Sequence, residues 1–398
     1  MKKILYVSNY PVPLDRGSNQ HAYYMLKALA SAFIVYCAFF IQPAFELGGS
    51  TATFPTIGVR SVTQLKFAAG RSRNRYMDYL YDLLSFPDPF TKMATHAPAR
   101  ESIQNLIRTN DIDLVHFENP HYFLHAFDIP QHVKMTAVYH DLYHTIPYQE
   151  IRFESKLHRK FSLLATSMKK YAFEKVLDNY LDGKIFLNPV EMEKLPYRSV
   201  HVPHFYNPSI SYQPPAESEF FRILFVGGYN HPPNRISIRY IVNEIIPALS
   251  QKTDRFRIHI VGKDNEKFRE ELAGNPNGEF VRIEGFKKDV NDIFRGMDIA
   301  AFPILNGGGI KTKIIDAMAA GVPVVTTAQG MFGLFDEAND CVSVADDPQS
   351  FASEISRLMD SHELRVERAI KAREFVSRNH SFEIASAHLI DYYTQLLG

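Results

Sequence analysis

What this chain has little of narrows the possibilities first. Only two cysteines occur in 398 residues, Cys37 and Cys341. Both fall in apolar runs that read as strands, far apart in sequence, so buried free thiols in a reducing compartment are expected. Net charge is absent: 44 Lys plus Arg balance 44 Asp plus Glu, so bulk charge gives no argument for a nucleic-acid partner. No apolar run is long enough to span a bilayer. The run after Met1-Lys2-Lys3 is short and broken by Asn9, Pro11 and Pro13, unlike a signal peptide. A cytoplasmic protein is expected. Both G-x-G-x-x-G and the P-loop pattern are missing. His116, Glu118, His121, His125, His132 and His144 crowd one region, but their spacing matches no zinc pattern and no cysteine accompanies them. No metal and no other cofactor is expected.

What is present is ordinary globular material, 45% hydrophobic and 22% charged, in a chain too long for one core. Two domains are the prior, and the proline-bearing stretch 204–219 (Pro208, Pro214, Pro215) suits a linker between 1–205 and 206–380. Strand-like and helix-like patterns alternate throughout, which indicates doubly wound parallel sheets, an α/β fold. Lys3–Ser8, Ile34–Ile41, Asp113–Glu118, Lys134–Tyr139, Lys184–Leu187 and a short Val200 strand serve the first half. Arg222–Val226, Arg257–Val261, Val281–Ile283, Ile299–Phe302, Val322–Val325 and Cys341–Val344 serve the second.

The most informative stretch is 296–327, GMDIAAFPILNGGGIKTKIIDAMAAGVPVVTT. A buried strand (Ile299–Phe302) runs into Gly307-Gly308-Gly309. From Ile310 apolar residues then recur at helical spacing until Gly321 and Pro323. Glycines leading into a helix let bare backbone approach a ligand, and the first helical amides lack partners inside the helix, a combination suited to phosphate. Lys311 and Lys313 are expected in the first turn, where a cation is unfavourable unless an anion is bound. Asp316 lies about one turn further on, placed to accept hydrogen bonds from a ribose diol. The plainer reading of the same residues is a glycine loop with solvated lysines.

Elsewhere the signals are weaker. A glycine loop at Gly17-Ser18 precedes a helix with Ala22, Met25, Leu26 and Leu29 on one face. Residues 49–77 hold Arg60, Lys66, Arg71, Arg73 and Arg75 with interleaved apolar residues and no acid. They read either as a solvated loop and helix face or as a surface meeting anionic lipid. His140 sits at the carboxyl end of a strand, where open α/β sheets bind ligands. Asn234 is a fit N-cap for the helix after Gly227-Gly228. Residues 154–180 read as a long amphipathic helix with mixed charges.

The run GGGIKTKIIDAMAAGVPVV resembles the donor-binding segment of glycosyltransferase family four, most closely its bacterial members with a GIKxK stretch. The resemblance implies the GT-B fold: two doubly wound Rossmann-like domains facing across a cleft. A terminal helix, 381–398, would pack back on the first domain. The first domain would take the acceptor and the second a nucleotide-sugar. It implies retaining sugar transfer to a glycan or lipid-linked acceptor in surface or extracellular polysaccharide synthesis. Such an enzyme would work in the cytoplasm, at the inner face of an anionic plasma membrane.

Residue by residue, the resemblance gives His140 to the transferred sugar and Lys311 and Lys313 to the leaving diphosphate. It gives Gly17, Gly228, Asn234, Lys263, Gly307, Gly308, Gly309, Ile310 and Asp316 to the donor, with the base at Gly285 and Phe286. The chain departs from the family twice. Of the two glutamates usual in the segment, the second falls on Asp316 and the first on Gly308. Gly228 and Asn234 stand where an Arg and a Lys are common. A catalytically inactive GT-B-like binding partner is therefore the alternative, with a sugar-nucleotide epimerase a third reading.

Overall fold

The computed structural model describes residues 1–8, 17–41, 57–66, 97–120, 129–211, 219–263 and 266–398. Within them the chain divides into two compact units, Met1–Phe205 with Phe382–Gly398, and Tyr206–Ser381.

The first unit holds a seven-stranded sheet in the order β3-β2-β1-β4-β5-β6-β7. Its strands are β1 (Lys3–Ser8), β2 (Ile34–Ile41), β3 (Ser61–Lys66), β4 (Leu114–Phe117), β5 (Lys134–Tyr139), β6 (Gly183–Phe186) and β7 (Ser199–His201), all paired in parallel. Both faces of this sheet are covered, so its central strands are apolar throughout rather than alternating. Leu5, Val7, Val115, Phe117 and Ala137 enter one core, while Ile4, Tyr6, Leu114, Val138 and Ile185 enter the other. β3 was not foreseen. Its residues belong to the basic stretch read as loop and helix face, yet Val62 and Leu65 add a strand beside β2. Residues 49–56 and 67–77 of that stretch, including Phe54, Phe67, Arg71, Arg73 and Arg75, lie outside the described residues, as do His121, His125, Pro214 and Pro215.

The second unit repeats the plan in six strands, β10-β9-β8-β11-β12-β13. These are β8 (Phe221–Val226), β9 (Phe256–Val261), β10 (Val281–Gly285), β11 (Ile299–Phe302), β12 (Val324–Thr326) and β13 (Ser343–Val344). Each sheet reverses its strand order once, between β1 and β4 in the first and between β8 and β11 in the second. Ligands of doubly wound sheets bind at the carboxyl ends beside such a reversal. Both cysteines are free and buried; Cys341 lies just before β13, after a 3-10 turn at Asp336–Asp340, rather than inside the strand.

Two local departures have visible causes. The helix begun at Pro232 widens to a π turn at Ile241–Ile245, directly upstream of Pro247, which has no amide hydrogen to donate. The organising helix begins at Thr312 and not at Ile310, with Lys311 as its N-cap, and it stops at Gly321 in the left-handed conformation. Ile310 instead leaves the loop to pack, half-buried, on the core of its unit.

The last helix, Phe382–Leu397, belongs to the first unit although it ends the chain. Ala385, Leu389 and Tyr393 recur at i, i+4 and i+8 and join Met25 and Leu29 of the first helix (Gly17–Ala32) in one cluster, each without solvent exposure. Leu389→Ala is expected to destabilise the first unit by roughly 2–5 kcal/mol. Urea unfolding followed by a probe in that unit checks this; an unchanged midpoint would mean that the helix is not part of its core.

Candidate functional site

At the reversal in the second unit, three chain segments come together at the carboxyl ends of β8, β9 and β11. The approach is close. A Cβ on Gly262, after β9, would lie 2.5 Å from the backbone of Gly227, after β8. A Cβ on Gly227 would meet the Asn234 side chain at the same distance. Only hydrogen at these two positions allows the packing.

Asn234 therefore lies against the β8 turn, and it is not a helix cap. The helix Pro232–Tyr240 starts with prolines at its first two positions, which have no amide hydrogens to satisfy, and His231 occupies the cap without a side-chain bond. Freed of that task, Asn234 donates through Nδ2 to the Gly228 carbonyl at 3.3 Å and accepts through Oδ1 from Lys313 Nζ at 2.7 Å. The Lys313 ammonium also lies 4.6 Å from the Phe225 ring centroid and 5.8 Å from that of Phe302. The residue as a whole is half-buried. Burial, and secondarily the Lys311 charge, lower its pKa to about 7.

Lys311 has a different task from Lys313. Its Nζ turns back on the carbonyls of Gly307, Gly308 and Gly309 at 3.1, 2.5 and 2.8 Å, so its charge is engaged by its own loop. Gly307 and Gly309 hold φ of 112° and 62°, a left-handed path that turns those carbonyls toward one point. Ser237 Oγ donates to Pro303 O at 2.8 Å, Thr327 Oγ1 to Ile304 O at 2.5 Å and Gln329 Nε2 to Gly307 O at 2.9 Å. The loop is pinned along its length. Beyond it the amides of Thr312 and Lys313 open a nine-residue helix and have no acceptor within it.

Lys263, Gly285 and Phe286 gather nearby. Gly262 N donates to Gly285 O at 2.8 Å, Tyr229 N to Lys263 O at 3.2 Å, and Lys263 Nζ stands 4.4 Å above the half-exposed Phe286 ring. Asp316 is half-buried, three residues beyond Lys313 on the same helix. Of the residues singled out in the sequence, Gly228, Asn234, Lys263 and Lys313 thus form one connected group.

The first unit carries a second cluster at its own reversal. Glu118, directly after β4, has no solvent exposure. The Tyr6 hydroxyl donates to Glu118 Oε2, His140 Nε2 bonds Oε1 at 2.8 Å, and His116 Nε2 lies 3.7 Å from Oε2. On its other side His116 Nδ1 meets Thr136 Oγ1 at 3.1 Å and the Tyr393 hydroxyl at 2.5 Å. His21 stands edge-on to His140 at 5.3 Å between ring centroids and stacks on His204. Gly17 opens the first helix, while the loop before it, residues 9–16, lies outside the described residues.

Burial opposes ionisation of Glu118, but the nearby His116 ring and the hydrogen bond and charge of His140 outweigh that and hold its carboxyl well below the usual range. Burial likewise opposes the charged form of His140, yet the Glu118 hydrogen bond and charge prevail and its pKa is raised. His21 is fully buried, and burial pushes its pKa down to about 3 against the opposing influence of the Glu118 charge. In sequence, Glu118 and His116 stood out only as metal candidates. The groups that give them their role, Tyr6 and Tyr393, lie 112 and 277 positions from their partners, and no local pattern marks them.

Because the folded pKa of His140 is raised, its pair with Glu118 contributes stability that is complete below the unfolded imidazole value. That contribution fades as pH rises through the folded value. Glu118→Gln is expected to lower the His140 pKa and to flatten this part of the stability profile. Titration of the His140 ring by NMR reads the first effect directly, and an unmoved titration would remove Glu118 from the assignment.

Comparison with known proteins adds three findings. Residues 221–361 match the family described as Glycosyl transferases group 1. A phosphatidyl-myo-inositol mannosyltransferase of Mycolicibacterium smegmatis is 27% identical over 183 residues, 44% of this chain and 45% of the relative. The chain spans about half the length of the curated relatives it matches. Among solved structures, WaaG, a glycosyltransferase involved in lipopolysaccharide biosynthesis, aligns with a TM-score of 0.64 at 14% identity over 97% of this chain and 98% of its own. The Anabaena protein HepE in complex with UDP-glucose aligns with a TM-score of 0.68 at 12% identity over 99% and 100%. These likenesses establish the GT-B fold.

Proposed function

We propose that this chain, a glycosyltransferase family four-like protein of GT-B fold, moves a sugar from a nucleotide-sugar to a glycan or lipid-linked acceptor in bacterial surface polysaccharide assembly. The family match and the relatives support sugar transfer. The observation that carries the reading further is the enclosed Lys313 ammonium. Lys313 belongs to the first turn of its helix, near the strand-order reversal, and a helix start with a cation at such a place suits a diphosphate.

In the proposed reaction the bond from the anomeric carbon to the diphosphate oxygen breaks, and the acceptor oxygen bonds that carbon. The acceptor's proton passes to the departing phosphate. The transition state resembles an oxocarbenium ion, and negative charge grows on the leaving group. Lys313 and the Thr312 and Lys313 amides stabilise that charge, being already oriented. Lys311 holds the shape of the loop. The Phe286 ring with Lys263 above it suits the base, and Asp316 suits the ribose. His140 is assigned to the transferred sugar from the first unit. Retention of configuration, independence of metal ions and work in the cytoplasm at an anionic membrane face complete the reading.

A second reading, an inactive nucleotide-binding partner, draws on the engagement of Lys311 by its own loop and on glycine at 308. Turnover separates the two. Lys313→Ala is expected to lower nucleotide release from the cognate donor by about 100- to 1000-fold, as for loss of one oriented donor to an oxyanion. A wild-type protein that releases nucleotide from none of the common UDP, GDP or dTDP sugars, with or without lipid acceptor, would leave only the second reading.

The charge on Lys313 also makes a pH prediction. Burial disfavours its protonated form, whereas a bound diphosphate favours it. Nucleoside diphosphate binding should therefore take up protons near neutral pH and weaken as pH rises above about 7. Calorimetry in two buffers of different ionisation enthalpy measures the uptake. Zero uptake would show that the anion does not meet Lys313.

A further inference from the structure

The helix Leu157–Leu177 has its apolar residues on the wrong side for a globular protein. Leu157, Phe161, Leu164, Met168 and Tyr171 follow i, i+4, i+7, i+11 and i+14, one stripe along the axis. All five are exposed, from 41% at Leu164 to 67% at Leu157. On the opposite side only Ser167, Phe173, Glu174 and Leu177 are buried, and none lies in the first ten residues of the helix. Tyr148, 62% exposed, extends the apolar surface upstream. Scattered exposed hydrophobics are ordinary, but a continuous stripe of large ones marks a contact surface.

Charge tells what fits the stripe. The helix carries five basic residues, Arg159, Lys160, Lys169, Lys170 and Lys175, and one acid, Glu174. That acid is turned inward, accepting from Tyr143 N at 2.6 Å and pairing with His144. The neighbouring acids are engaged too, Glu154 near Arg159 at 3.7 Å and Asp178 with Lys184. A second copy of this face would bring like charges together. An anionic lipid surface offers both apolar depth for the ring and alkyl groups and negative headgroups for the cations. Of these, Lys160 and Lys175 lie nearest the stripe by helical position, while the long stem of Lys169 can reach round toward it.

We infer that the Leu157–Tyr171 stripe docks the protein on an anionic bilayer, with the helix lying in the plane of the interface. The inference deepens the proposed function by naming the surface that would bring the enzyme to a lipid-linked acceptor. It does not require turnover.

Co-sedimentation of the whole chain with sucrose-loaded vesicles tests it, in the absence of donor and acceptor. The expected result is binding to phosphatidylcholine vesicles containing phosphatidylglycerol, weakened by salt and nearly lost on phosphatidylcholine alone. The Phe161→Ser/Met168→Ser variant should bind roughly tenfold less, because two apolar anchors no longer enter the interface. Lys160→Glu/Lys169→Glu, which keeps the stripe, should lose the preference for phosphatidylglycerol. Unchanged thermal midpoints show that both variants fold. Equal binding by wild type and Phe161→Ser/Met168→Ser, or no wild-type binding to any vesicle, overturns the inference. A wild-type dimer in light scattering that the serine variant abolishes, without vesicle binding, gives the stripe to a second copy and also overturns it. Donor hydrolysis in water is read separately, so failure of docking and failure of sugar transfer are distinct results.

Discussion

An ammonium group enclosed by two aromatic rings and one amide oxygen is the constraint around which the second unit is arranged. Lys313 gives up much of its hydration, and among the described residues the Asn234 oxygen and the faces of Phe225 and Phe302 replace it. Neutral partners of this kind do not restore the solvation of a full charge, which is why the pKa falls to about 7. On the proposed reading, a diphosphate is the counter-charge that this ammonium is placed to meet.

The first unit solves the inverse problem at the corresponding point of the same topology. β4 and β11 occupy equivalent places in their sheets, each next to the strand that starts its unit. After β11 the chain encloses a cation; after β4 it encloses an anion, Glu118. The difference lies in how each is compensated. Glu118 accepts from Tyr6 and pairs with His140, with the His116 ring 3.7 Å away, so its charge is compensated within the protein. A buried charge already satisfied serves to orient its partners rather than to await a ligand. That places His140 as the adjustable group of its cluster, its side chain 19% exposed and tied at one ring nitrogen.

The alternation of strands and helices was legible because buried parallel strands are apolar at every position and need no long-range information to recognise. β1, β2 and β5 follow their sequence patterns to the residue. The glycine loop and Lys313 were legible for a related reason: strand, turn and helix are contiguous there. What escaped was whatever depends on contact across the chain. Lys311 and Lys313 are indistinguishable by type and spacing, yet one closes its own loop and the other meets Asn234, 79 positions away. Asn234 looked like a cap because the consecutive prolines before it, which make a cap unnecessary, act through missing amide hydrogens. β3 was hidden by the basic stretch around it, with Arg60 just before the strand and Lys66 at its end, since a strand at the edge of a sheet tolerates charge that a central one does not.

Packing accounts for one of the two departures from the family pattern. A Cβ at Gly228 would stand 2.9 Å from the Lys263 carbonyl oxygen, closer than side chains tolerate. No arginine fits at that position unless the segment after β9 moves. The same closeness lets Tyr229 N reach that carbonyl and holds Lys263 where its ammonium covers the Phe286 ring. Loss of a basic side chain at 228 and placement of a cation at 263 are thus two aspects of one contact. Cations still belong to this group without a side chain at 228: Lys263 covers Phe286, and Lys313 reaches Asn234, whose amide donates to the Gly228 carbonyl.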